Sequence, residues 1–155
     1  MPAPVMNRAV ADFTAEATGG KTVRLKDLRG SKVVLYFYPK DNTPGCTTEG
    51  QDFRKLYPQF KRNAAVVYGI SKDSMASHEK FKDKFGFPFD LISDPDESLC
   101  RHFDVIREKT LYGRKFMGIE RSSFLIDAEG TLKGEWRKVK VAGHAKDVLD
   151  AVKNC

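Results

Sequence analysis

The chain has 155 residues, 41% of them apolar and 31% charged, proportions that suit one soluble domain around a single sizeable core. Its net charge of +6 raises nucleic acid as a partner, but the cations are interleaved with acids, as in Lys82-Asp83-Lys84 and Arg107-Glu108-Lys109, a pattern of solvated faces that argues against nucleic-acid binding. The N-terminal MPAPVMNRAVADF has no apolar stretch behind a basic start, and the longest apolar run is six residues, so neither secretion nor a membrane span is expected and a cytoplasmic location follows by default.

In chain order, residues 12–17 and 22–25 have the composition of two short strands joined at Gly19-Gly20, an edge hairpin. Leu25 to Gly30 is a helical turn ended by glycine. Val33 to Tyr38 is an unbroken β-branched and aromatic run, the signature of a strand covered on both faces, and Pro39 stops it. After Lys40, Asp41 and Asn42, the pair Thr43-Pro44 matches an N-cap hydroxyl followed by proline at the first helical position. The helix is expected from Pro44 to about Lys61, with Phe53, Leu56, Tyr57 and Phe60 on one buried stripe. Cys46 is its third residue and lies seven before Phe53, two turns away on the same face, so its thiol should point inward. The free N–H groups and the dipole of a helix start favour an anion there, and a thiolate is one.

Residues 64–70 are a second buried strand and 74–85 a mixed-charge helix whose Met75, His78, Phe81 and Phe85 turn toward the core. His78 has the character of a partly buried surface histidine, not a catalytic base. Residues 87–93 contain a third strand, and Asp94-Pro95-Asp96 turns into a short helix around Cys100, with Leu99 and Phe103 one turn apart. Residues 107–118 read as a basic loop broken by glycine. Residues 121–127 form a strand, residues 127–130 a turn and residues 131–138 its partner strand. Ala145, Val148, Leu149 and Val152 mark the closing helix. This order predicts an α/β domain with a mixed sheet covered by helices on both faces.

The three cysteines, Cys46, Cys100 and Cys155, are too few and too scattered for a disulfide framework, and they lack the paired spacing of a zinc site. At least one is therefore a candidate reactive thiol. Pro39, Thr43 and Cys46 stand at the spacing PxxxTxxC, which resembles the active-site motif of the peroxiredoxins. FYPKDNTPGCTTE, GIERSSFLID and WRKVKVAGH are similar to the bacterioferritin comigratory protein, or peroxiredoxin Q, subfamily, and the similarity runs from about Asp12 to Val152. It implies a thioredoxin-like fold: a central mixed β-sheet flanked by helices, with an N-terminal β-hairpin. It also implies reduction of hydrogen peroxide and organic hydroperoxides with no metal or organic cofactor. Thioredoxin, glutaredoxin or a small thiol would supply electrons to a monomer or weak dimer. By the same resemblance Cys46 is the peroxidatic cysteine, Thr43 the hydroxyl in the peroxide pocket, Pro39 the ring shielding the thiolate and Arg121 the arginine near the sulfur.

The chemistry of these residue types fits those roles. An ordinary cysteine is about 3% thiolate at neutral pH and one with a pKa of about 6 is about 90% thiolate, a gain of only about thirtyfold. A helix start typically contributes about 0.3 to 1 kcal/mol toward such an ionisation, so a fixed cation such as Arg121 is wanted. The remaining acceleration must come from positioning the O–O bond and stabilising the departing oxygen, a task for Thr43, the Cys46 N–H and Arg121. Each residue also has a plainer reading: Cys46 as an inert core thiol, Arg121 as a strand-end charge, Thr43 as an N-cap alone.

The second half of a peroxidase cycle is less legible. Many subfamily members carry a resolving cysteine five residues after the peroxidatic one or in the next helix. Here Gln51 stands at the first place and residues 74–85 hold no cysteine. Cys100 and Cys155 are the remaining candidates, the first as a thiol beside Leu99 in a short helix, the second at a chain end. An external thiol that attacks the sulfenic acid is the leading expectation. A redox sensor that uses oxidation of Cys46 as a signal on the same fold is the alternative.

Overall fold

A computed structural model describes residues 3–155. Strands β1 (Thr14–Ala17) and β2 (Lys21–Arg24) pair antiparallel across a 3-10 turn at Thr18–Gly20, and a second 3-10 turn at Leu25–Leu28 leads to β3 (Lys32–Phe37). Then come α1 (Pro44–Arg62), β4 (Ala65–Ser71), α2 (Met75–Phe85), β5 (Asp90–Ser93) and α3 (Ser98–His102). Strands β6 (Ile106–Leu111), β7 (Arg114–Ile119), β8 (Ser122–Ile126) and β9 (Leu132–Trp136) precede the closing α4 (His144–Lys153).

Seven strands form one sheet in the order β2-β1-β5-β4-β3-β8-β9. Strands β3, β4 and β5 run parallel, while β8 and β9 on one side and β1 and β2 on the other are antiparallel. The mixed sheet and the edge hairpin match the sequence expectation. β3 lies inside the sheet between β4 and β8, and every residue from Val33 to Tyr38 is at most 1% exposed, as an unbroken apolar run requires when both faces are covered. Alternation along it splits the core into two layers. Val33, Leu35 and Phe37 join Leu99, Cys100 and Phe103 on one face; Val34, Tyr36 and Tyr38 join Cys46, Phe53, Phe81 and Val148 on the other. Helices do cover both faces, but unevenly. The β3-α1-β4-α2-β5 crossovers share a handedness that puts α1 and α2 on the same side, where α4 packs against α1, leaving α3 and the N-terminal segments to close the other.

Two expectations need correction. Residues 107–118 are not a loop: β6 and β7 pair in register from Ile106–Ile119 to Leu111–Arg114 as a separate two-stranded sheet. Tyr112 and Gly113, at φ 51° and 77°, form its two-residue turn, which needs left-handed backbone at both positions. The hairpin projects from the body, with residues 111–117 all exposed. With no buried face along most of its length it shows no apolar alternation to read. His78, in turn, is fully buried, held by polar partners that lie far from it in sequence.

Candidate active site

The sheet topology brings the motif residues to one place. Phe37, the last residue of β3, pairs with Ser122, the first of β8, so Arg121 emerges beside the point where β3 gives way to Tyr38 and Pro39. The loop from Lys40 to Thr43 then starts α1, with Thr43 at the N-cap and Pro44 in the first turn. The first bond of the helix ladder runs from the Thr47 N–H to the Thr43 carbonyl, 2.9 Å, so the Gly45 and Cys46 N–H groups come before the ladder begins. They are the orphan donors of a helix start.

Cys46 points inward, as expected, and is 2% exposed. Arg121 Nη2 donates to its Sγ at 3.4 Å, while Nη1 donates to Glu49 Oε1 at 2.6 Å. One guanidinium thus bridges two side chains a single helical turn apart on the same face of α1. The guanidinium passes close to Gly45, where a Cβ would stand 3.2 Å from Nη2 and press it a few tenths of an ångström away. Burial works against the Arg121 charge, but Glu49 and Cys46 hold the guanidinium above its ordinary value. Glu49 is 1% exposed. Burial pushes its carboxyl up to about 7, with the Arg121 charge and hydrogen bond pulling the other way. Sequence reasoning missed this residue, although the TTE after Cys46 placed a carboxylate three positions on and therefore beside the thiol.

Thr43 is half-buried, and its hydroxyl does not cap the helix: Oγ1 donates to the Lys40 carbonyl at 2.9 Å. With the hydrogen committed there, the oxygen presents its lone pairs as acceptors. The ring of Pro39 is half-buried. Tyr36, stacked on Phe53 with centroids 4.6 Å apart, keeps a buried Oη that has no hydrogen-bond partner among the described residues. Burial, reinforced by the charges of Glu49 and Cys46, holds this phenol far above its usual range, so it stays a neutral hydroxyl. Lys109 on β6 is shifted down by burial and then by Arg121, with Cys46 opposing, which brings the hairpin's cationic strand within electrostatic reach of the site.

The other two thiols are elsewhere. Cys100 is fully buried in the core layer on the opposite face of the sheet from Cys46, its N–H bound to Asp94 Oδ2 at 2.8 Å, and burial together with Asp94 drives its thiol far above the ordinary range. Cys155 is exposed just past α4, whose Val152 carbonyl accepts from Lys32 Nζ at 2.8 Å. That contact fixes the C-terminus near the start of β3, whereas Cys46 lies beyond its end, roughly 20 Å away for a strand of this length.

Glu49 gives a pH prediction. A carboxyl whose pKa rises from 4.5 to about 7 on folding stabilises the fold fully below the unfolded value and loses that contribution as pH climbs through about 7. The melting temperature of the wild type is therefore expected to decline relative to Glu49→Gln between about pH 5 and about pH 8. Parallel curves in a thermal-denaturation series would show that Glu49 does not titrate in this window.

Comparison with known proteins agrees with the site. The AhpC/TSA family matches residues 6–134. Peroxiredoxin Bcp of Xanthomonas campestris is 53% identical over 145 residues, covering 94% of this chain and 91% of the relative. Peroxiredoxin Bcp of Bacillus subtilis is 49% identical over 143 residues, with 92% and 91% covered. Among solved structures, the chain superposes on a mutant of Xylella fastidiosa PrxQ with a TM-score of 0.92 at 44% identity, covering 99% of this chain and 98% of that one. It superposes on the Xanthomonas campestris bacterioferritin comigratory protein, studied for alkyl peroxide reduction, with a TM-score of 0.87 at 52% identity, covering 92% and 90%.

Proposed function

The chain belongs to the AhpC/TSA family, in its bacterioferritin comigratory protein or peroxiredoxin Q branch, and from that premise we propose how its residues divide the work of a thiol peroxidase. The enzyme acts through a peroxidatic cysteine, the role we give to Cys46. Its thiolate attacks the terminal oxygen of a hydroperoxide, the O–O bond breaks, and the departing hydroxide or alkoxide takes up a proton to leave as water or alcohol. Cys46 remains as a sulfenic acid.

The observation that carries this reading is the guanidinium held between Cys46 Sγ and Glu49 Oε1. Nη2 lies where negative charge starts on sulfur and moves onto the departing oxygen. The Cys46 N–H supports the same oxygen from the helix start. Thr43, its own hydrogen fixed on the Lys40 carbonyl, accepts the peroxide hydrogen and so orients the O–O bond. Pro39 limits the access of water to the sulfur. Anchoring by Glu49 keeps the cation in place before peroxide arrives.

An external thiol completes the cycle: it attacks the sulfenic sulfur to give a mixed disulfide and water, and a second thiol displaces Cys46 as the thiolate. Two facts favour this over an internal partner. Cys100 lies across the sheet, and Cys155 lies at the other end of β3. Because Cys46 is 2% exposed, the first turn of α1 must open to admit a thioredoxin, a glutaredoxin or a small thiol. Such a cycle suits the reducing cytoplasm.

Intact mass after one equivalent of peroxide tests the scheme. A single added oxygen, lost on treatment with a small thiol and absent in Cys46→Ser, is the expected result; loss of two hydrogens in the monomer, the mark of an internal disulfide, would overturn external resolution.

A further inference from the structure

Of residues 40–43, which join β3 to α1 and carry the Thr43 hydroxyl, Asp41 alone is buried. It is 7% exposed, and its partner His78 on α2 is fully buried. Asp41 Oδ1 accepts from Tyr38 Oη at 2.6 Å. Oδ2 accepts from Ser77 Oγ at 2.8 Å and lies 2.7 Å from His78 Nδ1. The Asp41 N–H donates to Asp73 Oδ2 at 2.9 Å, which also accepts from Ser71 Oγ at 2.5 Å. The other ring nitrogen of His78, Nε2, is 2.8 Å from the Ile92 carbonyl. A carbonyl only accepts, so Nε2 carries a hydrogen, and one further proton is held between Nδ1 and Asp41 Oδ2.

Asp41, Asp73 and His78 bring ligand-type atoms within 4.8 Å of one another, but hydrogen bonds already occupy those atoms, and the group reads as a closed network. It ties the ends of β3 and β4, helix α2 and strand β5 to one loop residue. The peptide just before Asp41 is the Lys40 carbonyl that receives the Thr43 hydroxyl. Fixing Asp41 therefore fixes the acceptor that aims Thr43.

We propose that the Asp41–His78 pair is a positioning device for the peroxidase reaction, holding the Lys40–Thr43 loop so that Thr43 presents its lone pairs to peroxide. The inference rests on the peroxidase reading above. Neither residue touches substrate; both act through the loop. Its consequence is a separation of steps: loosening the pair slows the attack of Cys46 on peroxide and leaves the later attack by an external thiol, which needs α1 open, unimpaired.

Two substitutions at one position separate this from a merely structural role. In His78→Asn the amide nitrogen takes the place of Nδ1, keeping the donor to Asp41 and losing the bond to Ile92. His78→Gln does the reverse, reaching Ile92 and losing Asp41. Both lose the imidazole, so their stability losses should be similar. The rate of Cys46 oxidation by hydrogen peroxide, measured by stopped flow without reductant, is expected to fall about tenfold or more in His78→Gln, the size of a lost hydrogen bond to a charged group. In His78→Asn it should stay within about threefold of wild type. The rate at which dithiothreitol restores the oxidised protein should not fall in either.

Equal peroxide rates in the two variants would overturn the positioning role. Should neither fold, Ser77→Ala decides, since it removes one donor to Asp41 Oδ2 and leaves the histidine. A drop of about threefold in the peroxide step supports the proposal, and no drop overturns it. A wild type whose Cys46 is inert to peroxide overturns the peroxidase reading and this role with it, whereas a reactive wild type with equal Asn and Gln variants overturns the positioning role alone.

Discussion

Cys46→Ser is expected to bring peroxide turnover to background, a loss on the order of 10^4 or more, as when the nucleophile of an enzyme is removed. Serine keeps the size of the side chain and leaves Arg121 an oxygen to bind, so the fold should survive with a melting temperature within about 4 °C of wild type, equivalent to about 1 kcal/mol in a chain of this size. The loss must therefore appear as chemistry. Cys155→Ser should change neither activity nor stability, because the residue is exposed past the end of α4. Cys100→Ser should lower stability modestly, since a polar hydroxyl would replace an apolar sulfur in the layer it shares with Leu99 and Phe103, although the Asp94 carboxylate beside it can accept the new hydrogen and limit the cost, while turnover per folded molecule is retained. Steady-state peroxide consumption with dithiothreitol as donor, set beside thermal denaturation of the same samples, separates these cases. Residual turnover in Cys46→Ser above one hundredth of wild type would assign the attack to another thiol.

What could be read without coordinates was what depends on short-range pattern. The run from Val33 to Tyr38, the Thr43-Pro44 helix start and the stripe through Phe53 and Phe60 each state their structure within a few residues, and the core bears them out. Cys46 was legible because its position on that stripe fixes its direction. Arg121 was legible from the resemblance of its segment, and the register of β3 with β8 supplies the physical reason for its place. The misses have a common cause: they depend on partners distant in sequence. His78 is buried only because Asp41, 37 residues away, and the Ile92 carbonyl take both ring nitrogens. Glu49 is a plain surface type until Arg121, 72 residues on, gives it a reason to be inside. The position of Thr43 at the start of α1 follows from local pattern, but its hydroxyl does not cap the helix, because a competing acceptor, the Lys40 carbonyl, sets its direction. The β6–β7 hairpin carries charge on both faces because it stands clear of the core.

Arg121→Ala carries the second large effect, and here activity and stability should come apart. Losing a charged donor aimed at the developing charge costs about 10^2 to 10^3 in rate, about 2.7 to 4 kcal/mol. Breaking a buried ion pair by removing one partner costs about 3 to 5 kcal/mol when the other charge is stranded. Glu49 is 1% exposed, so it would be stranded, yet a carboxyl already at about 7 beside its cation escapes much of that cost by taking a proton. The stability loss should therefore be smallest at low pH and grow as pH rises. Adding Glu49→Gln to Arg121→Ala removes the stranded charge, and the double variant should regain melting temperature near neutral pH without regaining peroxidase activity. Arg121→Lys tests geometry at constant charge. A single ammonium lacks the rigid fork that reaches Sγ and Oε1 together, so its rate should fall between wild type and the alanine variant. If the double variant recovered turnover along with stability, Arg121 would serve only to neutralise Glu49, and the bond from Nη2 to the thiol would have no catalytic part.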